Sequence, residues 1–290
     1  MKIYIDGQLY PENEAKISVL DHGLLYGDGV FEGIRVYNHR IFQLSEHIDR
    51  LFSSAKYIML EMPWTKEEII SACIETCKAN NILEGGYIRL IVTRGVGDLG
   101  LDPFICKKPS LIIIAAQIQL YPEKFYDEGL ELITVPTRRN IPEATNPCIK
   151  SLNYLNNILA KIEAKIHGYN EAILLDNNGF VSECTGDNIF FIKDNCIITP
   201  PHYVGALVGI TREVIFRLAN ENNIKIKEQM CTRYDAYTAD ESFLTGTAAE
   251  VVPVIAVDKR KINDGKPGPI TKQLIALFRK FVRENGEPIV

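Results

Sequence analysis

The chain has 290 residues, of which 46% are hydrophobic and 24% charged, the balance of a globular protein large enough for two modest domains. Its 32 basic and 37 acidic side chains give a formal net charge of −5, which offers no reason to expect a nucleic acid partner. No apolar run approaches the ~20 residues that a membrane span requires, and the N-terminus does not resemble a secretory signal. We therefore expect a cytoplasmic protein without a membrane partner.

The seven cysteines and five histidines do not suggest a metal site. The cysteines are scattered without the CxxC spacing of zinc sites, and the histidines form no HExxH group. Reduced thiols, as in a cytoplasmic protein, are the simplest account of the cysteines. We predict no bound metal.

Residues 1–118 are predicted to form a small N-terminal α+β domain. The predicted strands are Lys2–Ile5, Gln8–Tyr10, Val30–Tyr37, Arg40–Leu44, Tyr87–Arg94 and Ser110–Gln119. One helix is predicted to begin at Ser45. A second follows Thr65, which forms a capping box with Glu68, three residues later.

Residues 119–130 carry charge and proline and lose the apolar pattern, so we predict an interdomain linker there. Residues 131–290 are predicted to form a larger C-terminal domain. Its predicted strands are Glu131–Val135, Glu171–Leu175, Asn188–Lys193, Ile224–Gln229 and Ser242–Thr245, and its predicted helices cover 151–167, a segment that begins at Thr211, and 272–285.

Lys150, Tyr154 and Glu183 form the most informative group in the chain. Taken singly, a lysine before a helix is usually a solvated side chain. Together the three residues suit a pyridoxal phosphate site, in which a lysine forms a Schiff base, a tyrosine bonds the ring hydroxyl and a carboxylate pairs with the ring nitrogen. Tyr154 follows Lys150 by four residues, so we expect both on one helical face.

Six segments in one order resemble the fold-type IV pyridoxal phosphate enzymes, a group that contains branched-chain aminotransferases, D-amino-acid aminotransferases and aminodeoxychorismate lyases. The segments are Asp21–Gly33, His47–Leu51, Lys150–Tyr154, Glu183–Phe190, Gly209–Arg212 and Gly246–Val251. The resemblance is strongest to the branched-chain aminotransferases. It implies a two-domain α+β fold like that of D-amino-acid aminotransferase, with the cofactor in the cleft between the domains and bound mainly by the larger one.

The resemblance also implies the roles of individual residues. Lys150 would be the catalytic residue, which carries pyridoxal 5′-phosphate and moves a proton between the substrate Cα and the cofactor. The implied cofactor-binding residues are Arg50, Lys150, Tyr154, Glu183, Ile210, Thr211 and Thr247. Two of these residues, Arg50 and Thr211, also have simpler interpretations. Arg50 taken alone could be a surface arginine. Thr211 could be an ordinary helix N-cap, although a helix N-terminus also suits a phosphate.

Tyr87 and Arg89 lie two apart on a predicted strand, so their side chains share one face. This pair resembles the branched-chain group's device near the substrate carboxylate, and the alternative is an exposed aromatic–cation pair. The implied substrate-binding residues are Tyr26, Phe31, Gly33, Tyr87, Arg89, Thr247 and Ala248. The D-specific enzymes typically have an Arg-x-His pair, whereas here Gly95 and Val96 follow Arg94.

The expected function is transamination of leucine, isoleucine and valine with 2-oxoglutarate, which gives branched 2-oxo acids and L-glutamate for amino-acid biosynthesis. A D-amino-acid aminotransferase, an aminodeoxychorismate lyase and a non-catalytic pyridoxal-phosphate-binding protein remain alternatives. The Asp98–Pro103 loop resembles one that reaches a neighbouring subunit's site, so we expect at least a homodimer. The glycine-rich run Arg94–Gly100, which overlaps this loop, lacks the lysine and the hydroxyl residue of a nucleotide-binding loop. We expect a mobile loop near the active site instead.

Overall fold

The computed structural model describes residues 1–289 and divides the chain into two compact units. The first unit contains Met1–Ile118, Ile149–Asn153 and the C-terminal residues from Val282 onward. The second unit contains Gln119–Cys148 and Tyr154–Phe281. The division is therefore discontinuous, whereas the sequence analysis assigned everything after the linker to one domain.

The elements are labelled in chain order. The strands are β1 (Lys2–Ile5), β2 (Gln8–Pro11), β3 (Gly29–Tyr37), β4 (Arg40–Ile41), β5 (Gly86–Thr93), β6 (Ser110–Gln117), β7 (Leu130–Thr134), β8 (Glu171–Leu175), β9 (Val181–Cys184), β10 (Asn188–Lys193), β11 (Cys196–Thr199), β12 (Lys225–Glu228), β13 (Glu241–Gly246), β14 (Glu250–Val257), β15 (Arg260–Lys261) and β16 (Glu287–Pro288). The α-helices are α1 (His22–Tyr26), α2 (Leu44–Tyr57), α3 (Lys66–Ala79), α4 (Lys124–Glu128), α5 (Pro142–Thr145), α6 (Leu155–Ile166), α7 (Ile210–Glu221), α8 (Arg233–Thr238) and α9 (Pro269–Glu284). Short 3₁₀ turns cover Pro103–Ile105 and His202–Val204.

The first unit is built on an antiparallel sheet with the strand order β16-β4-β3-β5-β6-β1-β2. Helices α2 and α3 contribute Ile48 and Ile69 to a core that also contains Ile34 and Leu90 of the central strands, all four fully buried. Burial of the apolar helix faces against the sheet stabilises this layer. The second face of β3 and β5 carries candidate site residues.

Helix α3 begins as predicted, and α2 does not. Thr65 accepts a hydrogen bond from the Glu68 backbone N–H, and the Glu68 carboxylate accepts one from the Thr65 N–H, which is the predicted capping box. Helix α2 begins at Leu44, after Gln43 in the left-handed region with φ of 48°. The predicted cap, Ser45, therefore lies inside the first turn, because a backbone turn set by Gln43 starts the helix earlier.

The helix predicted over 151–167 begins only at Leu155. The preceding segment, Ile149–Asn153, runs antiparallel to β3: the Phe31 N–H donates to the Lys150 carbonyl at 2.9 Å, and the Leu152 N–H donates to the Gly29 carbonyl at 3.0 Å. Strand-like pairing satisfies backbone groups that a helix would otherwise have paired internally. This pairing explains why the segment belongs to the first unit.

The second unit is built on a mixed sheet with the strand order β12-β11-β10-β13-β14-β7-β8-β9, and β15 pairs with β14. The pairs β11–β12, β7–β14 and β7–β8 are parallel, and the remaining pairs are antiparallel. Leu132, Ile189, Leu244 and Val252 are fully buried in its core. The predicted α+β class is confirmed.

Among residues 1–289, no helix is long and apolar enough to cross a membrane. Within the same part of the chain, no group of three or more His, Cys, Asp or Glu side chains is placed to hold a metal ion. All seven cysteines are free thiols.

Candidate functional site

Lys150 is fixed by its backbone on both sides. Its N–H donates to the Ser54 hydroxyl of α2 at 3.2 Å, and its carbonyl oxygen accepts from the Phe31 N–H of β3. The Lys150 Nζ atom lies 4.6 Å from the centre of the Phe31 ring, within the range of a cation–π contact. The amine is therefore held at a defined position over an aromatic face.

Arg89 and Tyr87 on β5 gather around the same ring. The Arg89 guanidinium carbon lies 4.6 Å from the centre of the Phe31 ring and 5.5 Å from the centre of the Tyr87 ring. Phe31 is buried, and Tyr87 and Arg89 are half-buried. Within the first unit, four of the predicted residues (Phe31, Tyr87, Arg89 and Lys150) therefore share one set of contacts. An exposed aromatic–cation pair does not describe this geometry.

Gly33 makes room for Tyr87. Gly33 on β3 lies opposite Arg89 on β5, and a Cβ atom at Gly33 would overlap the Tyr87 hydroxyl and the end of its ring. A strand glycine often marks such a close approach. Only a residue without a side chain lets the Tyr87 ring lie across β3.

Tyr26 lies on α1, where its hydroxyl donates to the carbonyl oxygen of Leu99 at 2.6 Å. The His22 ring nitrogen Nε2 lies 2.9 Å from the Asp98 carbonyl oxygen. The segment that the sequence analysis expected to be a mobile loop is thus tied to α1 at these two carbonyls. These contacts do not place Tyr26 against Phe31, so the predicted contact of Tyr26 with the substrate stays a prediction.

Arg94 is bound by Asp28 and by two backbone carbonyl groups after α2. Its Nε and Nη2 atoms donate to the Asp28 carboxylate at 2.9 and 3.0 Å. Nη1 and Nη2 also donate to the carbonyl oxygens of Met59 and Ile58, just beyond the last residue of α2. These bonds satisfy carbonyl groups at a helix end. They occupy the Arg94 guanidinium group within the first unit.

Arg50, the predicted phosphate ligand, forms a fork with Glu32. Its Nε and Nη2 atoms donate to the two Glu32 carboxylate oxygens, each at 2.8 Å, and His47 Nδ1 lies 2.7 Å from Glu32 Oε2. Burial opposes ionisation of Glu32, but the Arg50 charge and hydrogen bonds outweigh it and lower the pKa of Glu32 to about 2. Burial lowers the pKa of His47. The Glu32 carboxylate raises the pKa of His47, and the Arg50 and Lys150 charges lower it.

This Glu32–His47–Arg50 network was not predicted from the sequence. Glu32 lies within the Asp21–Gly33 segment and His47 lies one helical turn before Arg50, so the spacing was visible but the pairing was not. The fork fixes the orientation of the guanidinium group. The phosphate contact of Arg50 remains a prediction.

In the second unit, Glu183 on β9 is buried and paired with Arg139. Arg139 Nη2 and Nε lie 2.7 and 3.0 Å from Glu183 Oε1. The other oxygen, Oε2, accepts from the Leu207 N–H at 2.9 Å and from Asn188 Nδ2 at 3.3 Å. The sequence analysis missed Arg139. Its only signal was a pair of arginines, Arg138 and Arg139, between a predicted strand and a predicted helix.

Helix α7 begins where an anion could approach its free N–H groups. The N-cap is Gly209, which has no side chain to cap the helix, followed by half-buried Ile210 and buried Thr211. A Cβ atom at Gly209 would overlap the Asn188 side-chain oxygen Oδ1. The first N–H groups and the positive end of the helix dipole favour a phosphate there. Thr211 is the second helical residue, not the predicted N-cap.

Tyr154 does not share a helical face with Lys150. Tyr154 is the N-cap of α6 and is half-buried, whereas Lys150 lies in the extended segment paired with β3. The four-residue helical spacing was therefore the wrong argument. The predicted contact of the Tyr154 hydroxyl with the cofactor remains a prediction.

Thr247 and Ala248 lie in the turn that joins β13 to β14, and both are half-buried. The turn begins at Gly246, where a Cβ atom would overlap the Asp187 carboxylate oxygen Oδ1. Backbone N–H groups in a turn with small residues can approach a ligand closely. The geometry is compatible with an anion at this turn.

The residues fit the cofactor that the sequence suggested. The first unit supplies an amine beside a guanidinium group and aromatic rings. The second unit supplies a buried carboxylate that is already bound by a guanidinium group, and an uncapped helix N-terminus. A phosphorylated pyridine aldehyde needs an amine, a carboxylate and an anion-binding helix end.

Comparison with known proteins gives a consistent family. A family model described as amino-transferase class IV matches residues 29–257. A protein of Methanocaldococcus jannaschii, named provisionally as a branched-chain-amino-acid aminotransferase, is 53% identical over 279 residues, which are 96% of this chain and 96% of that protein.

Solved structures extend the likeness to the fold. The crystal structure of the Escherichia coli branched-chain amino acid aminotransferase superposes with a TM-score of 0.95 at 36% identity, covering 99% of this chain and 96% of that one. The T.th. branched-chain amino acid aminotransferase with pyridoxamine 5′-phosphate gives a TM-score of 0.93 at 37% identity, covering 98% of this chain and 94% of that one.

Proposed function

We propose that this chain, which belongs to the class IV aminotransferases, transfers the amino group of L-leucine, L-isoleucine and L-valine to 2-oxoglutarate. The similar proteins described above include the branched-chain amino acid aminotransferase of Escherichia coli and a protein that provisionally carries the same name. The observation that carries the proposal is the placement of the Lys150 amine and the Arg89 guanidinium group on one aromatic ring, Phe31. That arrangement combines a nucleophile, a carboxylate ligand and an apolar surface.

The cofactor is pyridoxal 5′-phosphate, as in class IV aminotransferases generally, and the predicted cofactor and enzyme class are confirmed. When bound, it supplies a ring that accepts the electrons left behind when the substrate Cα loses a proton. We assign its covalent attachment to the Lys150 amine and its ring nitrogen to Glu183. We assign its phosphate to the α7 N-terminus at Ile210 and Thr211, with Arg50 and Thr247, and its ring hydroxyl to Tyr154.

Lys150 would move the proton. Its backbone bonds to Ser54 and Phe31 fix the base of the side chain, and the Nζ atom would act as the general base that takes the proton from the substrate Cα. Holding the reacting groups in one geometry lowers the entropic part of the barrier. Phe31 shields this amine from solvent on one side.

Glu183 would keep the ring nitrogen protonated. A carboxylate favours a protonated partner, and the Arg139 ion pair together with the Leu207 N–H holds the Glu183 carboxylate in place. Arg139 therefore acts on the reaction through Glu183.

The substrate would be recognised by its carboxylate and its apolar side chain. We assign the carboxylate to Arg89, to the Tyr87 hydroxyl and to the backbone N–H groups of Thr247 and Ala248, since charged and backbone donors bind carboxylates strongly. Phe31 and Tyr26 would contact the branched side chain. Gly33 supports this arrangement because it admits the Tyr87 ring.

We further propose that the protein works in the cytoplasm as a homo-oligomer, at least a dimer. The free thiols suit a reducing compartment. The exposed side chains of Leu99, Leu101 and Phe104 suit burial against a second copy of the chain. Sedimentation at several protein concentrations tests the dimer.

The proposed activity is tested by single-turnover spectroscopy of the purified holoenzyme. L-Leucine should convert the bound cofactor to its amine form, and 2-oxoglutarate should restore the original spectrum. A response to D-alanine alone would move the protein to the D-specific group. Release of pyruvate from aminodeoxychorismate would make it a lyase.

Two variants separate turnover from cofactor retention. Lys150→Ala should lose both turnover and the visible absorbance of covalently attached cofactor. Lys78→Ala, which changes an exposed lysine on α3, is the matched control and should behave as the wild type. Multiple turnovers by Lys150→Ala at the wild-type rate would contradict the proposed site.

A further inference from the structure

Three acidic groups of the second unit meet in its interior. Asp187, Glu171 and Tyr121 are each at most 5% exposed. The Tyr121 hydroxyl lies 3.2 Å from Glu171 Oε2 and 3.3 Å from Asp187 Oδ2. A phenol has one proton to donate, so it cannot satisfy both carboxylates as a full donor.

The two carboxylates differ in their other partners. Glu171 Oε2 accepts from Lys161 Nζ at 2.7 Å, and Glu171 Oε1 accepts from the Ala172 and Thr185 N–H groups, each at 2.8 Å. Within residues 1–289, the Asp187 side chain accepts no comparable hydrogen bond from a charged group. Glu171 therefore has more hydrogen-bond donors, one of them charged, than Asp187.

The ionised form of Asp187 is disfavoured in this surrounding. Burial first, and then the Glu171 charge, raise the pKa of Asp187 to about 7. Of the other groups that face it, Glu183 on β9 raises the pKa of Asp187, whereas Lys161 on α6 and the Tyr121 hydroxyl lower it. The neighbouring Cys184 thiol stays protonated, because burial, and then the nearby carboxylates, raise its pKa.

The second oxygen of Asp187 faces the candidate substrate turn. Oδ1 occupies the space in which a Cβ atom of Gly246 would lie, directly before Thr247 and Ala248. The next residue, Asn188, donates to Glu183 and fills the equivalent space at Gly209. The Asp187–Asn188 pair is thus in contact with the ring-nitrogen ligand and with both candidate anion-binding backbones.

We propose that Asp187 is a positioning residue, whose neutral carboxyl group keeps the Gly246–Ala248 turn able to bind the substrate carboxylate. The inference rests on the proposed function, in which Thr247 and Ala248 donate to that carboxylate. Loss of the proton leaves two buried negative charges, on Asp187 and Glu171, behind the turn. An incoming carboxylate is then repelled, and the turn is pushed away from Asp187 Oδ1.

The test is a binding measurement that does not need turnover. The probe is 4-methylpentanoic acid, which is leucine without its amino group and is ionised throughout the neutral range. Its dissociation constant from the holoenzyme is measured by calorimetry from about pH 6 to about pH 8.5. This interval lies on both sides of the Asp187 pKa of about 7. The proteins are the wild type, Asp187→Asn and a control, Asp127→Asn, which changes an exposed aspartate of α4.

We expect the wild-type dissociation constant to rise about tenfold across this range, a modest share of the repulsion between two nearby unit charges. Asp187→Asn, which is neutral at every pH, should show little rise, and Asp127→Asn should follow the wild type. Ionising groups common to all three proteins contribute equally to the pH dependence of the three dissociation constants. An equal rise in Asp187→Asn and the wild type, or no rise in the wild type, would overturn the inference.

A second variant guards against misfolding of the first. Glu171→Gln removes the charge that raises the pKa of Asp187, so the rise should begin at lower pH than in the wild type. An unchanged onset in a folded Glu171→Gln protein would also overturn the inference. Leucine turnover by the wild type is assayed in parallel. Absence of turnover would contradict the proposed function. The role of Asp187 is decided only by comparing the dissociation constants of the variants.

Discussion

Two guanidinium nitrogens of Arg139 bind one carboxylate oxygen of Glu183: Nη2 lies 2.7 Å and Nε 3.0 Å from Oε1. The third nitrogen, Nη1, donates to the side-chain oxygens of Asn156 and Asn157, each at 3.1 Å. Nε also donates to the Gly205 carbonyl. The guanidinium group is therefore held from several sides, and it fixes the direction in which Glu183 Oε2 points.

Replacement of Arg139 should damage both stability and cofactor binding. Arg139→Met leaves a buried carboxylate without its cation, which typically costs about 3–5 kcal/mol of unfolding free energy. Glu183 would also lose the two contacts that orient its carboxylate and would hold the ring nitrogen less well, so cofactor should dissociate more readily. Arg138→Met, at the exposed neighbouring position, is the control. Equal cofactor dissociation constants for the two variants would contradict the role of Arg139.

Glu183→Gln should keep the cofactor and slow the chemistry. The amide can still accept from the Leu207 N–H, but it carries no charge to favour a protonated ring nitrogen. Loss of such an electrostatic partner typically slows proton transfer by roughly 10²–10⁴. The measurement is the rate of the leucine half-reaction in a stopped-flow spectrometer. A wild-type rate would remove Glu183 from its proposed role.

The sequence predicted best what depends on neighbouring residues. The Thr65–Glu68 capping box and the strand Glu171–Leu175 were correct to the residue, because capping chemistry and apolar patterning act over a few positions. The start of α6 was wrong, because the pairing of Lys150 with β3 is a contact between distant parts of the chain. Local periodicity cannot reveal such a pairing.

The same limit applies to the site. The resemblance named Gly33, but only the register of β3 against β5 gives the reason, which is room for the Tyr87 ring. Arg139 was missed because an arginine in a loop has no local signal of burial. Its partner, Glu183, lies more than forty residues further along the chain and is brought to it by the fold of the second unit.

Arg89→Ala should raise the KM for leucine and leave cofactor affinity unchanged. Arg89 contacts Phe31 and Tyr87 on the proposed substrate side, and a charge-assisted bond to a carboxylate contributes about 1.5–3 kcal/mol, or roughly tenfold to a hundredfold in KM. Steady-state kinetics and a cofactor titration measure the two effects separately. If cofactor is lost while KM is unchanged, the arginine has been assigned to the wrong ligand.

Gly33→Ala should act through Tyr87. The added methyl group would overlap the Tyr87 hydroxyl and ring, so the ring must move or the strands must separate, at a cost of about 1–3 kcal/mol. We expect a higher KM for leucine, a small loss of thermal stability and wild-type cofactor affinity. Wild-type KM in this variant would show that the position of the Tyr87 ring does not matter for substrate binding.

The Glu32–Arg50 fork should make the first unit sensitive to acid. The pKa of Glu32 is lowered to about 2 in the folded protein, so its ion pair is fully formed above the ordinary glutamate range and is lost as the pH falls toward 2. Proton linkage over this interval corresponds to about 3 kcal/mol of unfolding free energy. Stability should therefore fall with decreasing pH between about 4.5 and 2.

Glu32→Gln tests this directly. The variant should be less stable at neutral pH, because Arg50 and His47 lose a buried charged partner, and its stability should depend less on pH across the acid range. Urea midpoints at several pH values, followed by a probe of the first unit, give the comparison. Glu46→Gln, an exposed change in the first turn of α2, should keep the wild-type acid dependence. An acid dependence of Glu32→Gln equal to that of this control would show that other carboxylates set the acid stability of the unit.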